Sequence, residues 1–124
     1  YLNNYSMKLN FFPFVISSLI SLLIAFLFFV INAEILTKSM QYAYSLSAFI
    51  ISFSTLTFAF PIQYKSPRLG VNIKLVSIIF FLILIVSNFL LSFFLFSINW
   101  LLIIIGMELL IFLLIIYYLI KTEQ

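Results

Sequence analysis

Between Leu75 and Ile120 the chain carries one formal charge, the carboxyl of Glu108. A carboxylate at bilayer mid-depth costs roughly 2.5–3.5 kcal/mol on insertion scales, and side chains held there mark proton relays and ion paths. Desolvation favours the neutral acid, so a carboxyl in this position is a candidate proton carrier. The structural alternative is a protonated carboxyl that only bonds a neighbouring helix.

The groups expected near Glu108 follow from a hairpin. Ser97-Ile98-Asn99 is the plausible turn between the last two apolar runs. If the turn centres near Ile98, residues equidistant from it share depth, and the mirror of Glu108 is Asn88, flanked by Ser87. An amide there can bond the carboxyl or help hold a water, or it can make an ordinary interhelical bond, worth ~0.6 kcal/mol on average in membranes. Glu108 itself is roughly ten residues into its helix, about 15 Å deep at 1.5 Å per residue. Gly106 is expected to allow a close helix approach.

Other polar positions read more simply. Ser45, Ser47, Ser52, Ser54, Thr55 and Thr57 form either a stripe facing a partner helix or hydroxyls that back-bond to carbonyls of their own helix. Glu34 and Lys38 are an i, i+4 pair at the end of the first span, the pattern of a solvated helix end and less often of a buried ion pair. Lys65, Arg68 and Lys74 are stop-and-orient charges that can also touch lipid headgroups or an acidic partner.

Composition bounds what can position these groups. The 124 residues are 66% hydrophobic and 7% charged, with mean hydropathy +1.34. There are too few charges to cover a soluble domain. The apolar runs are continuous rather than alternating, so the expected fold is all-α, an integral membrane protein of four transmembrane helices. A net charge of +3, scattered along the chain, does not point to nucleic acid. With no cysteine, histidine or aspartate, disulfides, thiolate catalysis, Ser-His-Asp chemistry and His-ligated metal or haem cannot be built from this chain. No cofactor is expected. Phe, Ile, Leu, Ser, Asn, Tyr and Lys dominate, the residues of A+T-rich codons, as in organelle genomes and some bacteria. A chain beginning at Tyr1 rather than Met is expected either to start upstream or to use an unusual start.

The spans are expected at 11–31, 42–60, 73–96 and 98–120, with a polar loop at 62–72, forming one membrane domain. Pro13 fits the first turn of the first helix, where a missing N–H costs nothing, and Pro61 ends the second. Of the six basic residues, Lys8, Lys65, Arg68, Lys74 and Lys121 fall on one side and only Lys38 on the other. This places both termini on the matrix or cytoplasmic side of a mitochondrial inner membrane or bacterial plasma membrane. Trp100 with Tyr42 and Tyr44 should mark one interface, and Tyr64 with Tyr117 and Tyr118 the other.

The segment from Ser97 to Lys121, SINWLLIIIGMELLIFLLIIYYLIK, resembles the glutamate-bearing helix of the antiporter-like subunits of respiratory complex I, especially NADH dehydrogenase subunit 2. In that family a short polar turn opens the helix, an apolar run follows, then Glu-Leu at mid-membrane and a basic stop. Here the turn is Ser97-Ile98-Asn99, the pair Glu108-Leu109 and the stop Lys121. Asn99 stands where the family often has Asp or His, and Ile115 where it usually has Tyr. The resemblance implies a membrane-arm subunit in which Glu108 contributes to proton translocation coupled to NADH:ubiquinone oxidoreduction; Asn99 of the opening turn, and Ser87 and Asn88 from the hairpin, are the expected supporting residues. The family pairs this glutamate with a lysine on a later helix. The sequence ends at Gln124, before any such helix, so the resemblance implies the N-terminal portion of a subunit, completed by a second polypeptide among the other membrane subunits.

Three further readings share some features. Small multidrug-resistance-type exporters have four helices around a membrane glutamate, and INAEILTKS with Glu34 and IIGM at Ile104–Met107 are loosely similar to them. Their Gly-rich third helix is absent. Subunit 4L of complex I has a GMEL-like glutamate helix but needs a second glutamate. The last reading is a structural accessory subunit of a respiratory membrane complex, with Glu108 in a packing role.

Overall fold

In the computed structural model, which describes residues 8–33, 36–64 and 66–122, the chain is an all-α membrane protein. Four helices are long and apolar enough to cross a bilayer: α1 (Phe11–Ile31), α2 (Lys38–Ala59), α3 (Pro67–Phe93) and α4 (Ile98–Thr122). Two short strands, β1 (Lys8–Leu9) and β2 (Ile62–Gln63), pair antiparallel, with Lys8 opposite Gln63 and Leu9 opposite Ile62. They join the segment entering α1 to the link between α2 and α3. The Asn10 N–H donates to the Pro61 carbonyl at 2.8 Å in the same ladder, which satisfies backbone groups that neither helix can reach.

The helices run up and down, with α2 central. It packs broadly on α1 and α3, while α4 lies mainly on α3 and touches α2 more lightly. Each helix keeps large apolar side chains exposed, among them Leu19, Leu82, Leu102 and Leu114. In a bilayer lipid tails solvate these faces, so the internal contacts rest on close packing and polar bonds rather than on water exclusion.

Small residues set the α1–α2 contact. Ser17 and Ser21 are buried on α1, four apart, and Ala25 continues the row, so the backbones can approach as in other small-xxx-small interfaces. From α2, Ser45 donates to the Ala25 carbonyl at 2.7 Å and the Gln41 amide to the Phe29 carbonyl at 2.7 Å. The serine stripe of α2 therefore divides between roles: Ser45 holds a neighbouring helix, while Thr55 back-bonds to Ile51 of its own helix at 2.8 Å.

Helix ends depart from the apolar boundaries. Helix α3 begins at Pro67, not at Ile73. Ser66 caps it by accepting from the Leu69 N–H at 3.1 Å, and Pro67 takes the first turn, a start signal that outweighs the polarity of Arg68, Gly70 and Asn72. At 27 residues the helix is about 40 Å long, longer than the ~30 Å hydrocarbon core, so its polar first turns extend into the headgroup region. Helix α2 likewise starts at Lys38, capped by Thr37, four residues before the apolar run. The Glu34–Lys38 pair and Lys65 fall on positions outside the described residues, Glu34 and Lys65 themselves.

The turn between α3 and α4 is Phe94–Ser97, so Ile98 and Asn99 belong to α4 rather than to the turn. It is a Schellman motif. Phe96 N–H bonds the Leu91 carbonyl at 2.9 Å and Leu95 N–H bonds the Ser92 carbonyl at 3.1 Å. Leu95 sits at φ 59°, in the left-handed region where glycine is favoured. A β-carbon there costs about 1–2 kcal/mol. Leu95→Gly is expected to stabilise the hairpin by about 0.5–1 kcal/mol after glycine's larger unfolded-state entropy is set against the relieved strain. Denaturant titration in detergent measures it, and a loss of stability would mean that the Leu95 side chain contributes more than its backbone strain costs.

Candidate functional site

Glu108 lies on the face of α4 that meets α3. Its carboxyl accepts a hydrogen bond from Ser87 Oγ to Oε2 at 3.2 Å. Glu108 is partly buried, and its Oε1 is shielded from solvent with no hydrogen-bond partner among the described residues. The α3–α4 hairpin thus brings the carboxyl to the depth that the mirror argument expects, but the residue that touches it is Ser87, not Asn88.

Asn88 points the other way. It is fully buried, and its Nδ2 donates to the Tyr44 carbonyl of α2 at 3.3 Å, leaving Oδ1 without a partner among the described residues. Successive positions on a helix diverge by about 100°, so adjacent Ser87 and Asn88 serve different interfaces: α3–α4 for the serine and α2–α3 for the amide. Asn99 is exposed in the first turn of α4, nine residues before Glu108 and about 13.5 Å away along the axis. It does not belong to the cluster.

Tyr44 is the site residue that sequence reasoning assigned to an interfacial belt. It is instead fully buried. Its hydroxyl donates to the Phe96 carbonyl at 2.8 Å, clamping the α3–α4 turn to α2, while its own carbonyl receives Asn88. The available signal was its place on the buried stripe Gln41, Tyr44, Ala48, Ile51 and Thr55, spaced by three and four. Gly106 also departs from expectation. A β-carbon at Gly106 would have nothing within 4 Å, so no helix of this chain approaches it closely.

Lys74 is thirteen residues before Ser87 on α3, and Lys121 thirteen residues after Glu108 on α4. Each lies about 20 Å along the helix axis from the site. Among the described residues no cation of this chain shares the depth of Glu108.

No family model, no curated protein and no solved structure matches the chain.

Ser87→Ala removes the one hydrogen bond that the described residues give the carboxyl. The expected cost is about 0.6 kcal/mol, the usual value for an interhelical bond in a membrane. A double-mutant cycle with Glu108→Ala, which removes the acceptor, measures the coupling in a detergent unfolding titration. A coupling of zero would mean that Ser87 and Glu108 do not bond in the folded protein.

Proposed function

We propose that this chain is a membrane-arm subunit of a proton-translocating respiratory complex of the NADH:ubiquinone oxidoreductase type, corresponding to the N-terminal portion of an antiporter-like subunit, and that Glu108 is its proton-exchanging group. The observation that carries this reading is the open oxygen of Glu108, shielded at membrane depth with no partner among the described residues. A buried carboxyl with an unmet oxygen is costly unless it holds a proton or meets a group from outside. Either resolution suits a carboxyl that exchanges protons against a second polypeptide.

In this reading, Ser87 orients the carboxyl through Oε2 and leaves Oε1 to the exchanging proton or to a cation of the neighbouring subunit. A membrane-embedded lysine on that subunit, within about 10 Å, would raise or lower the carboxyl's proton affinity as its own charge changes. The complementary orientation puts both termini, Lys8, Arg68, Lys74 and Lys121 on the matrix or cytoplasmic face.

The assembly is tested by gentle solubilisation. The chain is expected in a particle many times its own 14.5 kDa mass, with a second polypeptide cross-linked through a photoreactive side chain at exposed Met107, beside Glu108 on α4. A monomer or small homodimer with no cross-linked neighbour would overturn the proposal.

A further inference from the structure

The link between α2 and α3 forms a cleft of about 410 Å³, within the ~300–1,000 Å³ typical of small-ligand sites. It has no role in the Glu108 chemistry, which lies about 20 Å deeper. Phe60, Gln63, Tyr64, Gly70, Val71 and Lys74 are among its walls. We infer that this cleft binds the phosphate headgroup of an anionic phospholipid, with the lipid's glycerol and acyl chains running down over Phe60 and Val71.

Several observations converge on that ligand. Lys74 lines the cleft, and its ammonium lies 5.3 Å from the centroid of the Phe60 ring, a cation–π contact that keeps the charge at the cleft rather than free in solution. Arg68 is exposed in the first turn of α3, next to the lining residue Pro67. Lys8 stands opposite the lining residue Gln63 in the strand pair. None of the chain's three acidic residues, Glu34, Glu108 and Glu123, lies in the 59–74 segment that forms the cleft. The local field is thus positive and unopposed within that segment. Phe60 and Val71 are exposed, at 47% and 58%, so the cleft carries apolar surface beside its cations. That pairing fits an amphiphile better than a free anion.

The floor of the cleft is rigid. The Tyr64 hydroxyl donates to the Phe58 carbonyl at 2.6 Å, which ties the ring to the end of α2. A β-carbon at Gly70 would meet Tyr64 Cδ2 at 3.8 Å, an ordinary contact. The position accepts a side chain without disturbing the helix, and a larger one fills the cleft. Basic pockets at the cytoplasmic or matrix ends of transmembrane helices bind anionic headgroups on this same physical basis.

The chain, as purified in mild detergent, is titrated with phosphatidylglycerol in phosphatidylcholine mixed micelles, and native mass spectrometry counts the bound lipid. Phosphatidylglycerol is expected to be retained over phosphatidylcholine. Lys74→Gln and Arg68→Gln should each weaken retention about fivefold, which corresponds to ~1 kcal/mol per basic residue near a membrane surface. Gly70→Val keeps every charge and should weaken it at least as much, with an unchanged helical circular dichroism spectrum. Lys38→Gln, at the opposite end of α2, and Lys121→Gln, on α4, should leave it within twofold. Equal losses in all charge variants would reduce the effect to a diffuse surface field and overturn the site. Unchanged retention in Lys74→Gln or Gly70→Val would do the same, and displacement of the lipid by millimolar inorganic phosphate would overturn the lipid assignment.

Discussion

On the proposed role of Glu108, Glu108→Gln is expected to lower proton translocation by at least about tenfold while the proposed complex still assembles. A positioned acid–base group contributes about 10²–10⁴-fold to the step it serves, so tenfold is a conservative floor for a group on the translocation path. The substitution suits the site. Glutamine has the same shape, and its amide carbonyl can accept the Ser87 Oγ hydrogen that Oε2 now accepts at 3.2 Å. What it loses is the ability to take up and release a proton. Glu108→Ala removes the bond as well and should add a packing defect between α3 and α4. The measurement is the ratio of protons moved to NADH oxidised in sealed vesicles, with assembly checked by native electrophoresis. A glutamine variant that assembles and pumps at the wild-type ratio would leave Glu108 a packing residue.

The sequence made part of this arrangement legible and hid the rest for identifiable reasons. The four spans follow from continuous apolar runs, because a bilayer demands length and hydropathy and little else. The shared depth of Glu108 and the Ser87–Asn88 pair follows from the hairpin. Which of the two faces the carboxyl does not, because a shift of one residue rotates a side chain by about 100°, and the turn had to be known to the residue. The actual turn lies at Phe94–Ser97. Its left-handed position is filled by Leu95 instead of the glycine that would have announced it. Helix starts are hidden where polar residues look like the end of a helix. Ser66-Pro67 is a start signal written in capping chemistry, and the hydropathy run begins only later. Tyr44 was hidden differently: a tyrosine near a span end looks like a belt residue, and only its three-and-four spacing with Gln41, Ala48 and Ile51 marks it as core.

The largest effect on stability is expected from Phe112→Ala, at about 2–4 kcal/mol. In water, large-to-small changes of a buried Phe cost about 3–5 kcal/mol, part from transfer and part from the cavity left behind. In a bilayer the transfer part shrinks, since a lipid-solvated reference is already apolar, but the lost contacts in a close-packed interior remain. Phe112 is fully buried at the junction of α2, α3 and α4. Its ring lies 5.8 Å from Phe58 at 79° and 5.5 Å from Phe80 at 43°, geometries that add about 0.5–1.5 kcal/mol per aromatic pair. Because α4 touches α2 only lightly, this ring is a main tie between them, and its removal should loosen α4 before the other helices. Leu113, the next residue, is 46% exposed on the lipid side, and Leu113→Ala should cost less than about 1 kcal/mol. Unfolding titrations of both variants in the same detergent decide the matter. Equal losses at positions 112 and 113 would mean that α4 is held by hydropathy alone and that the aromatic junction contributes nothing to the bundle.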